Sequence, residues 1–184
     1  MHIHEIITET EDISRQLTQA QFMQGQCAVL ALTIHNIDFW RYQLGFIYEF
    51  FDEMPDIYLD PDEFAALDPH MQQSIKTDDR HWALTHAYVM DSRTGEYIDA
   101  TGRHKNPPDI GYGFNATRHN KFPAESVDLV RVSTHMEWDE QKEEWIILRG
   151  WDALDKVYTP ENKQKAREYA IKYLGVKDPA LGTV

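Results

Sequence analysis

One cysteine occurs in the chain of 184 residues, and its surroundings make it a candidate nucleophile. Cys27 opens an apolar stretch directly behind Gly25-Gln26. At the first turn of a helix the unpaired backbone N–H groups and the macrodipole favour negative charge, so a thiol placed there ionises more readily. The glycine two residues earlier allows a sharp turn and a close approach of substrate to the backbone. His86 interrupts the strand-like run Trp82-Ala-Leu-Thr-His-Ala-Tyr-Val-Met90, where an apolar or β-branched residue is expected. Asp99, a type disfavoured in strands, follows Ile98 in Glu96-Tyr-Ile-Asp-Ala-Thr-Gly102. A hairpin joining these two runs can set residues 86 and 99 side by side, with Asp99 accepting a hydrogen bond from His86. Nucleophile, base and a third group that orients the base are the three parts of an activated thiol. Each residue also has a structural reading: a buried cysteine at the head of an apolar helix, and a His–Asp pair that stabilises a hairpin.

These residues need elements to hold them. Ile6, Ile13, Leu17 and Phe22 are loosely spaced for one face of an opening helix over 6–24, with Thr10 or Asp12 as N-cap. Residues 27–35 are apolar nearly all round, which predicts a buried helix. From Trp40 the period changes to two, through Tyr42, Leu44, Phe46, Tyr48 and Phe50, and predicts a strand. Asp60-Pro61 predicts a capped helix over 61–75. The runs 82–90 and 96–100 read as a hairpin closed through Gly95. Residues 102–124 have no periodicity and read as a long loop, with further strands expected at 127–133 and 144–149. A final helix is expected over 160–174, capped by Thr159 and stopped by Gly175. Helices followed by antiparallel-looking strands, in a chain of this length, predict one α+β domain spanning 1–184.

The order Cys, His, Asp resembles the papain-like cysteine peptidase and transglutaminase-like superfamily. Gln21-Phe-Met-Gln-Gly-Gln-Cys27 resembles the papain signature in its glutamine six residues before the cysteine and its glycine two before. The second cysteine and the tryptophan of that signature are absent. The run His86-Ala-Tyr-Val and the run Tyr97-Ile-Asp99-Ala-Thr-Gly102 are more similar to the His and Asp strands of bacterial transglutaminase-like domains. The resemblance covers roughly residues 20–102. It implies a papain-like core, with the cysteine on an N-terminal helix packed on an antiparallel sheet that carries His and Asp. It further implies that Gln21 and the Cys27 backbone N–H form an oxyanion hole. The expected activity is hydrolysis or acyl transfer at an amide bond of a protein or peptide: peptide, isopeptide or glutamine side chain.

The alternative is a catalytically inactive papain-like fold that serves as an acidic protein-binding module. Charge supplies its motive. The formal net charge is −13, and residues 38–68 carry nine acids against Arg41 alone. Residues 103–121 invert this, with Arg103, Lys105, Arg118 and Lys121 against Asp109. If that basic stretch lies over the site, it favours an acidic substrate. The overall charge argues against a nucleic-acid binder, which needs a cationic footprint. A lone cysteine excludes an internal disulfide framework and thiolate metal clusters, and the histidines lack zinc-hydrolase spacing, so neither cofactor nor metal is implied. Apolar runs such as Cys27–Leu32 are too short to span a bilayer, and Met1-His2-Ile3-His4-Glu5 lacks the features of a secretory leader. A cytoplasmic protein is expected.

Overall fold

Behind Gly25, which adopts φ 90°, the chain enters helix α2 (Cys27–Ile37). The computed structural model describes residues 14–23, 25–50, 53–54, 57–58, 66, 68–70, 82–108 and 118–181. Helix α1 occupies residues 14–23, so the opening helix is present there, while its expected start and caps at 6–13 lie outside the described residues. Strands β1 (Tyr42–Phe50), β2 (Glu53–Met54), β3 (Ile57–Tyr58), β4 (Trp82–Asp91), β5 (Glu96–Asp99), β6 (Gly102–His104) and β7 (Arg118–Lys121) follow. Helix α3 (Ser126–Val132), the hairpin β8 (Thr134–Asp139) and β9 (Glu144–Arg149), and helices α4 (Gly150–Val157) and α5 (Pro160–Leu174) complete the order. The class is α+β with antiparallel pairing.

The chain forms two compact units, with β1 and β4 each divided between them. Unit 1 comprises residues 1–44, 87–109 and 157–184. Its strands run in the order β6-β5-β4-β1; α2 packs on α5 and β5, and α5 on β6. The apolar faces explain the packing. Cys27 through Ile34 of α2 are all buried, matched by Tyr88, Val89 and Ile98 of the sheet and by Ala166, Tyr169, Ala170 and Leu174 of α5. Each fully buried Leu, Val or Ile contributes about 1.5–3 kcal/mol, enough to make this shared core the main term holding α2 in place. The Tyr169 hydroxyl donates to the Ala100 carbonyl at 2.9 Å, so the one polar atom of that ring is not orphaned.

The core also holds a charge. Asp91 is fully buried, and Arg41 grips it with two bonds, Nε to Oδ1 at 2.9 Å and Nη2 to Oδ2 at 2.7 Å. Arg103 reaches Asp91 Oδ2 at 3.4 Å and Glu96 at 3.0 Å, and it donates to the carbonyls of Leu174 and Gly175 at 2.7 and 3.1 Å. Arg103 thereby ties the C-terminus of α5 to the sheet.

Unit 2 comprises residues 45–86 and 110–156. Here the later half of β1 pairs antiparallel with β7, Phe46 opposite Lys121. Leu129, Val130 and Val132 of α3, and Ala153 and Leu154 of α4, are buried. The hairpin of β8 and β9 sets Met136 opposite Ile147 and Trp138 opposite Trp145.

Several expectations need correction. Residues 127–133, expected as a strand, fall instead in α3 and its C-cap Ser133. Asp128 accepts the Glu125 N–H at 3.1 Å, and the Leu129/Val132 spacing of three puts both on the buried side. The expected loop 102–124 contains β6 and β7, which are strands because a partner pairs with them: Ile98 with Arg103, and Phe46 with Lys121. The helix expected over 61–75 falls mostly outside the described residues. Among the described residues no helix is long and apolar enough to cross a membrane.

Candidate functional site

Cys27 is the first residue of α2, behind Gln26 at φ −114° and ψ 19°. The N-cap Gln26 makes no side-chain cap hydrogen bond to the first turn of the helix, whose leading amides have no intrahelical partner. Cys27 is buried, with 7% of its surface exposed. The positive φ of Gly25, reached by few residues with a Cβ, turns the chain from α1 into α2.

Gln21 comes to the same place. From the last turns of α1 its Nε2 donates to Gln26 Oε1 at 2.9 Å, and more weakly to Asn162 Oδ1 at 3.4 Å. Asn162 is itself fixed in the first turn of α5, its Nδ2 donating to the Val157 carbonyl at 2.8 Å. The amide of Gln21 is thus held against the residue that precedes Cys27. Asn162, 135 residues beyond Cys27, carries no spacing in the sequence that links it to this site.

Asp99 ends β5 and is nearly buried. The β5–β6 turn is tight, Asp99 pairing with Gly102 at φ 139°. Asp99 Oδ1 accepts from the Thr101 backbone N–H at 2.7 Å and from its hydroxyl at 2.6 Å, an arrangement typical of an aspartate-led turn. His104 Nε2 lies 2.8 Å from the Thr101 hydroxyl oxygen and 3.2 Å from Asp99 Oδ1. The single hydroxyl proton of Thr101 goes to Asp99, so that oxygen accepts from His104, which carries a proton on Nε2. In the neutral ring Nδ1 is then the basic nitrogen. The signal for His104 was present in the sequence as a histidine five residues beyond Asp99, but only the turn geometry brings its ring to the carboxylate.

His86 is half-buried on β4, sharing the alternation of Tyr88 and Met90, and it is the last residue of the unit 2 stretch of that strand. Gln21, Cys27, Asp99 and His104 all belong to unit 1. Across β4 and β5 the register pairs Val89 with Ile98, so Asp99 continues at the level of Tyr88.

Of the basic stretch, Arg103 is spent on Asp91, Glu96 and the end of α5, and Lys121 pairs with Asp128 at 2.7 Å. The Arg118 side chain lies outside the described residues. An open cavity of about 710 Å³ in unit 1 is lined by Thr33, Asn36, Tyr158, Lys163, Arg167 and Asp178 among others, and by none of the candidate catalytic residues. No family model, curated protein or solved structure matches the chain.

Proposed function

We propose that the chain is a thiol-dependent hydrolase or acyltransferase acting on an amide bond of a protein or peptide, with a papain-like or transglutaminase-like arrangement of Cys27, His86, Asp99 and Gln21. The observation that carries this reading is the junction of α1 and α2. There a buried thiol heads a helix whose N-cap Gln26 makes no side-chain cap bond, behind a glycine of positive φ, and the Gln21 amide is pinned to the adjoining Gln26.

Imidazole takes the proton from Cys27 Sγ, and the thiolate attacks the carbonyl carbon. The oxyanion is met by the Cys27 N–H and by the Gln21 amide, which turns from Gln26 to do so. The imidazolium protonates the nitrogen as the C–N bond breaks, releasing an amine or ammonia. Water or a second amine, deprotonated by the same imidazole, then releases the thioester. Asp99 fixes the tautomer.

The base in this reading is His86. A second reading assigns the base to His104, on the observed contact of its Nε2 with Asp99 and Thr101. Alkylation of the full chain by iodoacetamide at neutral pH, followed by mass spectrometry, tests both. Rapid modification of Cys27 is expected despite its burial, slowed in His86→Ala under the first reading and in His104→Ala under the second. Slow alkylation that neither variant changes would identify a structural cysteine and leave a silent scaffold.

A further inference from the structure

The β8–β9 hairpin of unit 2 presents an apolar face that the proposed chemistry does not use. Met136, Trp138 and Trp145 share one face by the strand register and are 59, 47 and 62% exposed; Ile147 and Arg149 lie on the same face, Arg149 at the end of the hairpin away from its turn. The two indoles form an edge-to-face cross-strand pair with centroids 5.6 Å apart. On the opposite face Glu137 pairs with Lys156 of α4 at 2.6 Å. Aromatic and methionine side chains concentrated on a solvent face mark an interaction surface.

The charge beside that face says what fits it. The turn joining β8 to β9 carries Glu140 and Glu143, and no Lys or Arg among the described residues pairs with either. Lys142, the one base of the turn, is drawn to Asp139 at 3.9 Å and Glu144 at 3.8 Å, both on the opposite face. An indole face attracts a cation through its quadrupole, and a guanidinium adds planar stacking and a fork that matches a carboxylate. We propose that the Trp138/Trp145 face docks an extended, arginine-bearing segment of another protein. Its guanidinium groups stack on the indoles, and Glu140 and Glu143 receive its charge.

A labelled synthetic peptide alternating arginine and alanine, titrated into the full chain by fluorescence anisotropy, provides the test. Binding is expected, together with a loss of about tenfold on replacing both indoles (Trp138→Leu with Trp145→Leu), a change that keeps apolar cover on the hairpin while removing the quadrupole. A comparable loss is expected for Glu140→Gln with Glu143→Gln, which leaves the indoles in place and guards against a folding defect. Equal binding by the leucine variant would overturn the proposal, because general attraction to an acidic chain would then suffice. Two other outcomes would overturn it as well: a dimer in sedimentation velocity that the peptide does not disperse, and adsorption of the face to phosphatidylcholine vesicles without peptide binding.

Discussion

Asp99 is fixed by the turn it closes, and the proposed function gives the same carboxylate a second task. Its carboxylate closes the β5–β6 turn through Thr101 while touching the His104 ring. Replacing it by Asn keeps an acceptor for the turn but removes the charge that steadies an imidazolium. On the proposed function, Asp99→Asn is expected to fold and to lower turnover to a residual rate, and Cys27→Ala is expected to abolish it; release of ammonia or amine from a glutamine-containing peptide measures both. The backbone of Glu143 offers a test of stability. It sits at φ 54° in the β8–β9 turn, a conformation that costs a residue with a Cβ about 1–2 kcal/mol. Glu143→Gly should raise stability by about 1 kcal/mol in denaturant unfolding, part of the relief being offset by glycine's entropy. His104 was legible as a histidine five residues beyond Asp99, but its contact with the carboxylate is made by the turn.

At the scale of elements, α5 was fully legible because both its ends are written locally. The Thr159 side chain accepts the Asn162 N–H at 3.2 Å, Pro160 needs no donor, and Gly175 ends the helix at φ 61°. Thr159→Ala is expected to cost about 1 kcal/mol through the lost cap. Gly175→Ala should cost a similar amount, about 1 kcal/mol, and for a backbone reason. Its Cβ would meet Arg103 Nε at an ordinary 3.9 Å, so the left-handed φ, not a clash, sets the effect. Chemical denaturation of each variant checks both values. Element α3 went the other way. Its valines favour a strand in isolation, but the Asp128 bond to the Glu125 amide and the burial of Leu129 and Val132 on one side outweigh that weak preference. Strands β6 and β7 are too short to announce themselves, and they exist where β5 and β1 supply the partner.

At the scale of the whole molecule, Asp91 is a fully buried carboxylate held by Arg41 and Arg103. Burial pushes its carboxyl upward, but the Arg41 hydrogen bonds, the Arg93 amide and the Arg103 guanidinium prevail and hold it below the ordinary carboxylate value. A group whose folded pKa is depressed stabilises the fold above its unfolded value and loses that contribution as pH falls through the folded one. Thermal melting points should therefore fall as pH drops from about 4, and Asp91→Asn should flatten that dependence while lowering stability at neutral pH. Arg41→Met should cost about 3 kcal/mol, because a buried carboxylate would lose its principal partner. From the sequence alone came the α+β class, the helix that Cys27 opens, the β4–β5 hairpin and the capped α5, because periodicity, glycine and proline act over a few residues. Only the tertiary structure decided that Gln21 meets Gln26, that Asp99 meets His104, and that Arg103 turns inward to Asp91. It alone decided, too, that the Trp138/Trp145 pair faces outward. Such contacts depend on which strand register and which helix face bury the most apolar surface, and that choice is made by the chain as a whole.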